Sequence, residues 1–304
     1  LSNHWGSDTA SDVGHEKEGG RAVMQKKKAG NSKQVKNMLI LFIVLVLAVI
    51  YVFPLYIAFA NALKTYDQVI LDTAGLPSPV VFENFVTVWN QIAYPRAFMN
   101  TLFVTAGSLL GILLFCGMGT YMLVRRPGKI SNIIFMTIVS MMVVPFQSMM
   151  IPLIKIGNRL HLINSLPGLI LIYIGCGVPF AVFLYHGFIK GIPRELEEAA
   201  MIDGCSVYGT FFKIVLPLLK PITTTIAVLD VLWLWNDFLL PMITLSSKEL
   251  RTLTLSYFFY FGEFVNQWNL ALAAVILAII PAVIFYMFSQ KYIVEGITAG
   301  AMKG

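Results

Sequence analysis

The sequence predicts an all-α polytopic membrane protein with six transmembrane helices. Charged residues make up only 12% of the chain, against about 25% in a typical globular protein. The deficit is concentrated in long apolar runs of about 20 residues, each long enough to cross a hydrocarbon core of about 30 Å as a helix. These two observations exclude a single soluble domain.

The apolar runs define the predicted spans and divide the chain into one six-span domain, 38–304, preceded by polar segments. The predicted spans are 38–60, 97–124, 132–154, 165–189, 222–243 and 268–290. An even number of spans places both termini on the same side of the membrane. The side is decided by the distribution of lysine and arginine in the connecting segments.

The basic residues are unequally divided between the two faces. One face carries 14 of them from Met24 onward and the other carries 6. The richer set is Lys26, Lys27, Lys28, Lys33, Lys36, Arg125, Arg126, Lys129, Lys190, Arg194, Lys213, Lys220, Lys291 and Lys303; the poorer set is Lys64, Arg96, Lys155, Arg159, Lys248 and Arg251. The positive-inside rule therefore places both termini in the cytoplasm. Because these charges lie beside apolar runs, they indicate membrane orientation and not nucleic-acid binding.

The N-terminal residues before the first span fall into two segments. Residues 1–23 are polar and lack periodicity, whereas Met24 opens a basic segment, 24–37. We interpret Met24 as the native start and residues 1–23 as an upstream extension. A disordered cytoplasmic tail is the alternative interpretation.

The two longer outer loops carry local signals of their own. In the first, 61–96, two prolines precede an apolar–polar alternation that predicts a short interfacial helix around residues 82–89. The second, 244–267, contains the aromatic run 257–261. That run is typical of an interfacial aromatic belt, and the alternative is a surface that enters a partner protein.

Segment 190–221 is charged and helix-prone although it lies between apolar runs; we call it the docking loop. Pro193 suits the first position of a helix, and acidic residues near a helix start are favoured by the helix dipole. Those acidic residues are Glu195, Glu197 and Glu198. Spacing places Leu196, Ala199, Ala200 and Asp203 on one face, where the two alanines would allow close approach of another surface.

The second half of the docking loop predicts a turn and another helix. Gly204 can adopt the left-handed conformation that ends a helix, and Ser206 can cap the next one. That second helix reaches Leu216, and Pro217 ends or bends it. Interfacial helices that lie on lipid usually carry basic polar faces, so the acidic first helix favours docking onto a protein in water over lying on lipid.

The docking loop resembles the EAA loop of permeases in bacterial ABC importers. The matching residues are Glu198-Ala199-Ala200-Met201-Ile202-Asp203-Gly204 and Ile214-Val215-Leu216-Pro217. The resemblance implies that the loop forms coupling helices in a cleft of an ATPase subunit, with Glu198 paired to a basic residue there. Cys205 stands where the family often has alanine.

Two further stretches are similar to the smaller, maltose-type carbohydrate permease. Trp235-Asn236-Asp237-Phe238 followed by Pro241 resembles a pattern in the fifth span, and the tail 296–304 resembles a terminus that reaches the ATPase. The tail residues implied in that contact are Thr298, Ala299, Gly300 and Lys303.

The resemblance also implies the partners and the energy source. The partners are a second permease subunit, an ABC ATPase dimer, an extracytoplasmic sugar-binding protein, and a sugar or oligosaccharide, in the bacterial cytoplasmic membrane. ATP and Mg²⁺ would be used by the ATPase, because this chain has no P-loop, no nucleophile arrangement and no metal-ligand spacing. We therefore expect a non-catalytic subunit without a cofactor that works by alternating access.

Polar residues in the fifth span are candidates for the translocation path. Asp230, Trp233 and Asp237 are spaced to share a helix face, with Asn236 beside them, and an aromatic ring near carboxylates suits a sugar. The alternative is that Asp230 pairs with a neighbouring helix and Trp233 only packs. A different function, an ion-gradient-driven secondary transporter, would use Asp230 as its ion site. An intramembrane enzyme has no supporting residue cluster.

Small residues and prolines within the spans predict packing and kinks. Gly107 and Gly111 form a GxxxG motif that allows close helix packing, either within this chain or with the second permease. Prolines inside apolar helices should kink them; these are Pro145, Pro152, Pro179 and Pro281. Cys116, Cys176 and Cys205 show no pairing pattern and are interpreted as reduced packing residues.

Overall fold

The computed structural model describes the backbone of residues 9–263 and 267–301, and the side chains of residues 36–258 and 267–291. All regular secondary structure in those residues is helical, which confirms the predicted all-α class. The α-helices are α1 (Thr9–Ala62), α2 (Tyr66–Leu71), α3 (Glu83–Gln91), α4 (Tyr94–Arg125), α5 (Lys129–Ser140), α6 (Phe146–Arg159), α7 (Leu166–Lys190), α8 (Glu195–Ile202), α9 (Val207–Thr210), α10 (Leu216–Leu218), α11 (Lys220–Asn236), α12 (Leu239–Thr244), α13 (Leu253–Glu263) and α14 (Trp268–Ala301). Short 3₁₀ turns cover Met141–Val143 and Lys248–Leu250, and a π-helical turn covers Phe211–Val215.

The chain divides after Ala58 into two compact units. The first unit ends within α1, whose segment Lys36–Ala62 is long and apolar enough to span a membrane. The second unit, Phe59–Gly304, contains the other helices and the residues that form the candidate functional site.

Between four and six membrane spans are supported by helix length and composition in the described residues. Four are single helices, Lys36–Ala62, Tyr94–Arg125, Leu166–Lys190 and Trp268–Lys291. Two more are bent pairs of helices, Lys129–Val143 with Phe146–Arg159 and Val207–Leu218 with Lys220–Asn236, with bends of 113° and 75°. The predicted third span is therefore not one straight helix. The 75° bend lies before the predicted fifth span, which is interrupted separately, between α11 and α12.

Local backbone chemistry explains both departures. The predicted span 132–154 breaks at Pro145, because Val144 before it takes the extended conformation that proline imposes on its predecessor. The predicted span 222–243 breaks at Asp237, which is also extended, and α12 then begins at Leu239. The Asp237 Oδ1 atom accepts a hydrogen bond from the Leu239 N–H at 3.0 Å, which stabilises the break.

The glycines of α4 face α7 within this chain. A β-carbon on Gly107 would lie 2.7 Å from Ile170 Cδ1, and one on Gly111 would lie 2.2 Å from Ile174 Cδ1. Such distances are far below van der Waals contact, so a larger residue would force the tips of these isoleucine side chains to move, and glycine favours this approach of the two helices. The GxxxG motif is thus used for internal packing, and its alternative assignment to the second permease is not needed.

The first outer loop folds locally, as predicted, and also makes a long-range contact. Helix α3 matches the predicted helix at residues 82–89, whereas the sequence did not indicate α2. The buried Asn84 side chain donates 2.8 Å hydrogen bonds to the carbonyls of Ala62 and Lys64. Its Oδ1 atom accepts a 3.0 Å hydrogen bond from Asn269, so the loop is tied to the start of α14.

Candidate functional site

The docking loop is a helix–turn–helix, as its sequence predicts. Helix α8 forms the first half, and Val207–Thr210, Phe211–Val215 and Leu216–Leu218 follow one another without a break to form the second. One detail of the prediction is wrong: α8 begins at Glu195, so Pro193 lies before the helix and not at its first position. Arg194 takes the N-cap position, and its carbonyl accepts the N–H groups of Glu197 and Glu198.

The turn between the two helices is held by a Schellman motif. Gly204 has φ 86°, the left-handed conformation expected for it. The Gly204 N–H donates to the Met201 carbonyl at 3.0 Å, and the Cys205 N–H donates to the Ala200 carbonyl at 2.9 Å. The Ser206 hydroxyl then caps the second helix by accepting the Gly209 N–H at 3.1 Å. These bonds fix the angle between the two helices.

The outer surface of the docking loop combines exposed acidic and apolar side chains. Ile202 is 86% exposed and Tyr208 is 67% exposed, which is a large apolar surface for a segment rich in charge. Exposed apolar side chains grouped with polar ones mark protein interaction sites. Glu198, Ala199 and Asp203 are exposed on the same segment, whereas Ala200 is buried, so the two predicted alanines do not face the same way.

Glu197 has a different environment from its exposed neighbour Glu198. Its side chain is buried, and its Oε2 atom accepts a 2.9 Å hydrogen bond from the Tyr121 hydroxyl. Arg125 donates to Glu197 Oε1 from Nε at 2.7 Å and from Nη2 at 2.5 Å, and Nη2 also donates to the Ile192 carbonyl at 3.0 Å. Both oxygens of this carboxylate are therefore occupied by residues at the end of α4.

Sequence reasoning missed this contact. The sequence indicates Arg125 only as a charge that orients the chain, and Glu197 only as one of three acids near the start of a helix. The sole signal in the sequence is that one of three adjacent acids could find a basic partner. Because Arg125 and Glu197 are 72 residues apart, their pairing follows only from the packing of the helices.

An apolar cluster holds the second half of the docking loop against the membrane helices. Phe211, Val215 and Leu219 are buried in one core with residues of α4 and α7. The Phe211 ring lies 5.3 Å from the ring of Tyr121, the same residue that contacts Glu197. Leu216 packs against this core, whereas Pro217 is exposed at the start of α10, where the chain bends toward α11.

Trp233 and Asp237 line a cavity of about 620 Å³ between helices α6, α7, α11 and α12. The Asp237 Oδ2 atom accepts a 2.8 Å hydrogen bond from the Tyr173 hydroxyl, and the Tyr173 ring meets the Trp233 ring edge-on at 5.6 Å. Most of the remaining lining is apolar, including Met141, Met142, Met149, Phe146 and Phe180. A wall of aromatic and methionine side chains with one carboxylate suits the C–H faces and hydroxyls of a sugar.

The other two predicted path residues lie outside this cavity. Asp230 is 3% exposed and does not line it, and its Oδ2 atom has no hydrogen-bond partner among the residues that the structure describes. Asn236 is exposed, and among the described residues its side chain donates to the Leu232 carbonyl of its own helix, at 2.8 Å. The predicted shared face is incorrect because the helix ends before Asp237.

The predicted contacts of the C-terminal tail are not described. The backbone of Thr298, Ala299 and Gly300 belongs to α14, but their side chains and the whole of Lys303 lie outside the described residues. The same holds for the side chains of the N-terminal segment 1–23 and for the aromatic residues 259–261.

Comparison with known proteins gives consistent matches along most of the chain. Residues 107–299 match the family described as binding-protein-dependent transport system inner membrane component. A probable starch degradation products transport system permease protein of Thermoanaerobacterium thermosulfurigenes is 42% identical over 269 residues, 88% of this chain and 98% of the relative. The melibiose/raffinose/stachyose import permease protein of Bacillus subtilis is 33% identical over 91% of this chain and the whole of its own length.

Solved structures show the same fold. A chain of a bacterial ABC transporter involved in the import of the acidic polysaccharide alginate matches with a TM-score of 0.73, at 22% identity, over 86% of this chain and 97% of that chain. A second structure of the alginate transporter, in complex with its pentasaccharide-bound periplasmic protein, matches with a TM-score of 0.63 at 16% identity over 84% of this chain. At these identities the likeness supports the arrangement of helices alone.

Proposed function

The chain belongs to the family of inner membrane components of binding-protein-dependent transport systems, and from this membership we propose that it forms half of an ATP-driven path for oligosaccharides. It is a non-catalytic, membrane-embedded permease subunit of a sugar importer. We propose six spans with both termini in the cytoplasm, which requires α5 with α6 to act as one span and α11 with α12 to act as another. The excess of basic residues on that face supports this orientation.

The proposal rests on the two different surfaces of the docking loop. Its outer surface exposes Glu198, Ile202 and Tyr208 together, while its inner surface is packed and ion-paired to the membrane helices. A loop that served only as a connection would not need a rigid, partly apolar outer surface. We propose that this surface fits a cleft of an ABC ATPase, where Glu198 pairs with a basic residue.

The geometry suggests how ATP-driven closure of the two ATPases would move the path. The docking loop continues directly into α11, which carries Trp233 and is followed by Asp237. When the two ATPases close on ATP and Mg²⁺, a loop held in their cleft would move and carry α11 with it. The cavity lined by Trp233 and Asp237 would then change its access from one side of the membrane to the other.

The remaining partners are also part of the proposal. A second permease subunit would complete the path, and an extracytoplasmic binding protein would deliver the oligosaccharide. We propose that Thr298, Ala299, Gly300 and Lys303 contribute to the ATPase contact. The two relatives named above are transport proteins for starch degradation products and for melibiose, raffinose and stachyose, so maltotriose and raffinose are the first sugars to test.

The proposal is tested by gentle solubilisation of the chain from its native membrane, followed by identification of the proteins that copurify. We expect a second permease and a P-loop ATPase in a ratio of about one to one to two. ATP-dependent uptake of labelled maltotriose or raffinose by proteoliposomes of that complex then identifies the sugar. A chain that is recovered alone or as a homomer, with no ATPase in any detergent, would show that the assignment is wrong.

Replacing Trp233 with alanine should weaken sugar binding without affecting assembly. Loss of one stacking ring corresponds to about a tenfold rise in the KM for uptake, or about 1.4 kcal/mol. Asn236→Ala is the matched control, because Asn236 lies on the same helix but outside the cavity. An unchanged KM in the Trp233→Ala complex, measured with the transported sugar, would remove Trp233 from the path.

A further inference from the structure

We infer that Arg125 and Tyr121 are positioning residues that clamp the docking loop to the end of α4. The clamp consists of these two side chains and Glu197 of α8, joined by the three contacts to the carboxylate described above. Its role is to transmit movement of the docking loop to α4. The inference rests on the proposed function, since it needs an ATPase that moves the loop.

Chain connectivity does not provide this link. The docking loop is joined by the chain to α7 on one side and to α11 on the other, so a pull on the loop reaches those two helices through the backbone. Helix α4 has no such connection, because α5, α6 and α7 lie between it and the loop in the chain. The clamp is the polar contact through which α8 acts directly on α4.

The burial of the clamp makes it suited to transmitting force. The Arg125 and Glu197 side chains are 11% and 5% exposed, so water cannot readily replace either partner when the pair is pulled apart. A buried ion pair adds little net stability, but removing one partner leaves a charge without compensation. The pair therefore resists separation more than an exposed pair would.

Two adjacent glutamates of α8 have different roles in this arrangement. Glu197 points to the membrane helices and has both oxygens occupied, whereas Glu198 is exposed and free to meet a partner surface. The short helix thus contacts α4 on one side and presents its docking surface on the other. The Tyr121–Phe211 ring contact extends the link to the second half of the loop.

The clamp can be tested without knowledge of the sugar. Spin labels at Arg126→Cys, directly after α4, and at Leu196→Cys on α8 report the distance between the two elements. The labelled chain has Cys116, Cys176 and Cys205 replaced by alanine. The purified complex with its ATPase is measured without nucleotide and after trapping with ATP and vanadate. We expect one unchanged distance in the parent complex, because α4 and α8 move together.

In the Arg125→Gln variant, the distance between the two spin labels should change on trapping and its distribution should broaden. The charge-swapped variant, Arg125→Glu with Glu197→Arg, should restore the single unchanged distance of the parent complex. Glu195→Gln is the matched control, because Glu195 is an exposed acid of the same helical turn. If Arg125→Gln prevents assembly, Tyr121→Phe removes one hydroxyl and keeps the ring contact. An unchanged distance in the assembled variant overturns the clamp.

The amount of sugar transported per ATP hydrolysed distinguishes a positioning role of Arg125 from a purely structural one. In proteoliposomes with labelled maltotriose, the Arg125→Gln complex should transport about tenfold less sugar per ATP hydrolysed, a typical size for a lost coupling. A purely structural role would lower the amount of complex but leave this ratio unchanged, and that outcome also overturns the inference. Failure of the parent chain to retain any ATPase would instead contradict the proposed function.

Discussion

We expect the Glu198→Lys chain to lose its ATPase and, with it, all ATP-dependent uptake. Glu198 is exposed on the outer surface of the docking loop, and its neighbour Glu197 is already occupied by Arg125 and Tyr121. If Glu198 meets a basic residue in the ATPase cleft, lysine brings two positive charges together. Such a like-charge contact costs several kcal/mol, which corresponds to a loss of affinity of roughly 100-fold or more.

The measurement is the amount of ATPase that copurifies with the variant, followed by uptake of labelled maltotriose into proteoliposomes. The control is Glu249→Lys, the same substitution at an exposed glutamate in the segment between α12 and α13. The control should retain its ATPase, because the change in net charge is identical but the position is not in the docking loop. Undiminished copurification and uptake with Glu198→Lys would mean that this surface does not dock an ATPase.

We expect Gly168→Ala to prevent normal assembly of the chain. A β-carbon at Gly168 would lie 1.9 Å from the Leu162 carbonyl oxygen, and also too close to the backbone carbons of that residue. The clash is with backbone and not with a flexible side chain, so the turn between α6 and α7 would have to move. We expect a destabilisation above about 3 kcal/mol, the upper end of the usual range for overpacking.

The measurement is the thermal unfolding of the solubilised chain together with the yield of the assembled complex. Gly187→Ala is the matched control on the same helix, where an added β-carbon meets no atom within 4 Å. That control should be neutral or slightly stabilising, because alanine is favoured over glycine inside a helix by about 0.5–1 kcal/mol. A Gly168→Ala chain with parent stability would show that the α6–α7 turn can shift without cost.

Features that depend on neighbouring residues were predictable from the sequence. The four spans formed by single helices follow from length and apolar composition, and α3 follows from an alternation within the first outer loop. The backbone conformation of the turn in the docking loop was also predicted, with Gly204 left-handed and Ser206 as the cap of the second helix. In each case the relevant interactions lie within a few residues, so the sequence contains all of the partners.

The breaks in the predicted third and fifth spans were less accessible to sequence reasoning. Pro145 predicted a kink, but a 113° bend between two helices is larger than a kink within one helix. Pro241 lies four residues after Asp237 and disfavours a helix that continues past it, a signal that sequence reasoning did not use. The break also depends on a carboxylate that accepts a backbone N–H after the helix has ended. An aspartate can either end a helix or lie within it, and local composition does not decide between these two outcomes.

The sequence by itself determined the all-helical membrane class, the approximate spans and the docking loop with its exposed Glu198, because these follow from composition, periodicity and local capping. Only the tertiary structure decided that Glu197 binds Arg125, that Gly111 faces α7, and that Trp233 and Asp237 share a cavity from which Asp230 is excluded. The physical reason is distance along the chain. Contacts between residues tens of positions apart form only when helices pack, and the packing selects among partners that are chemically equivalent in the sequence.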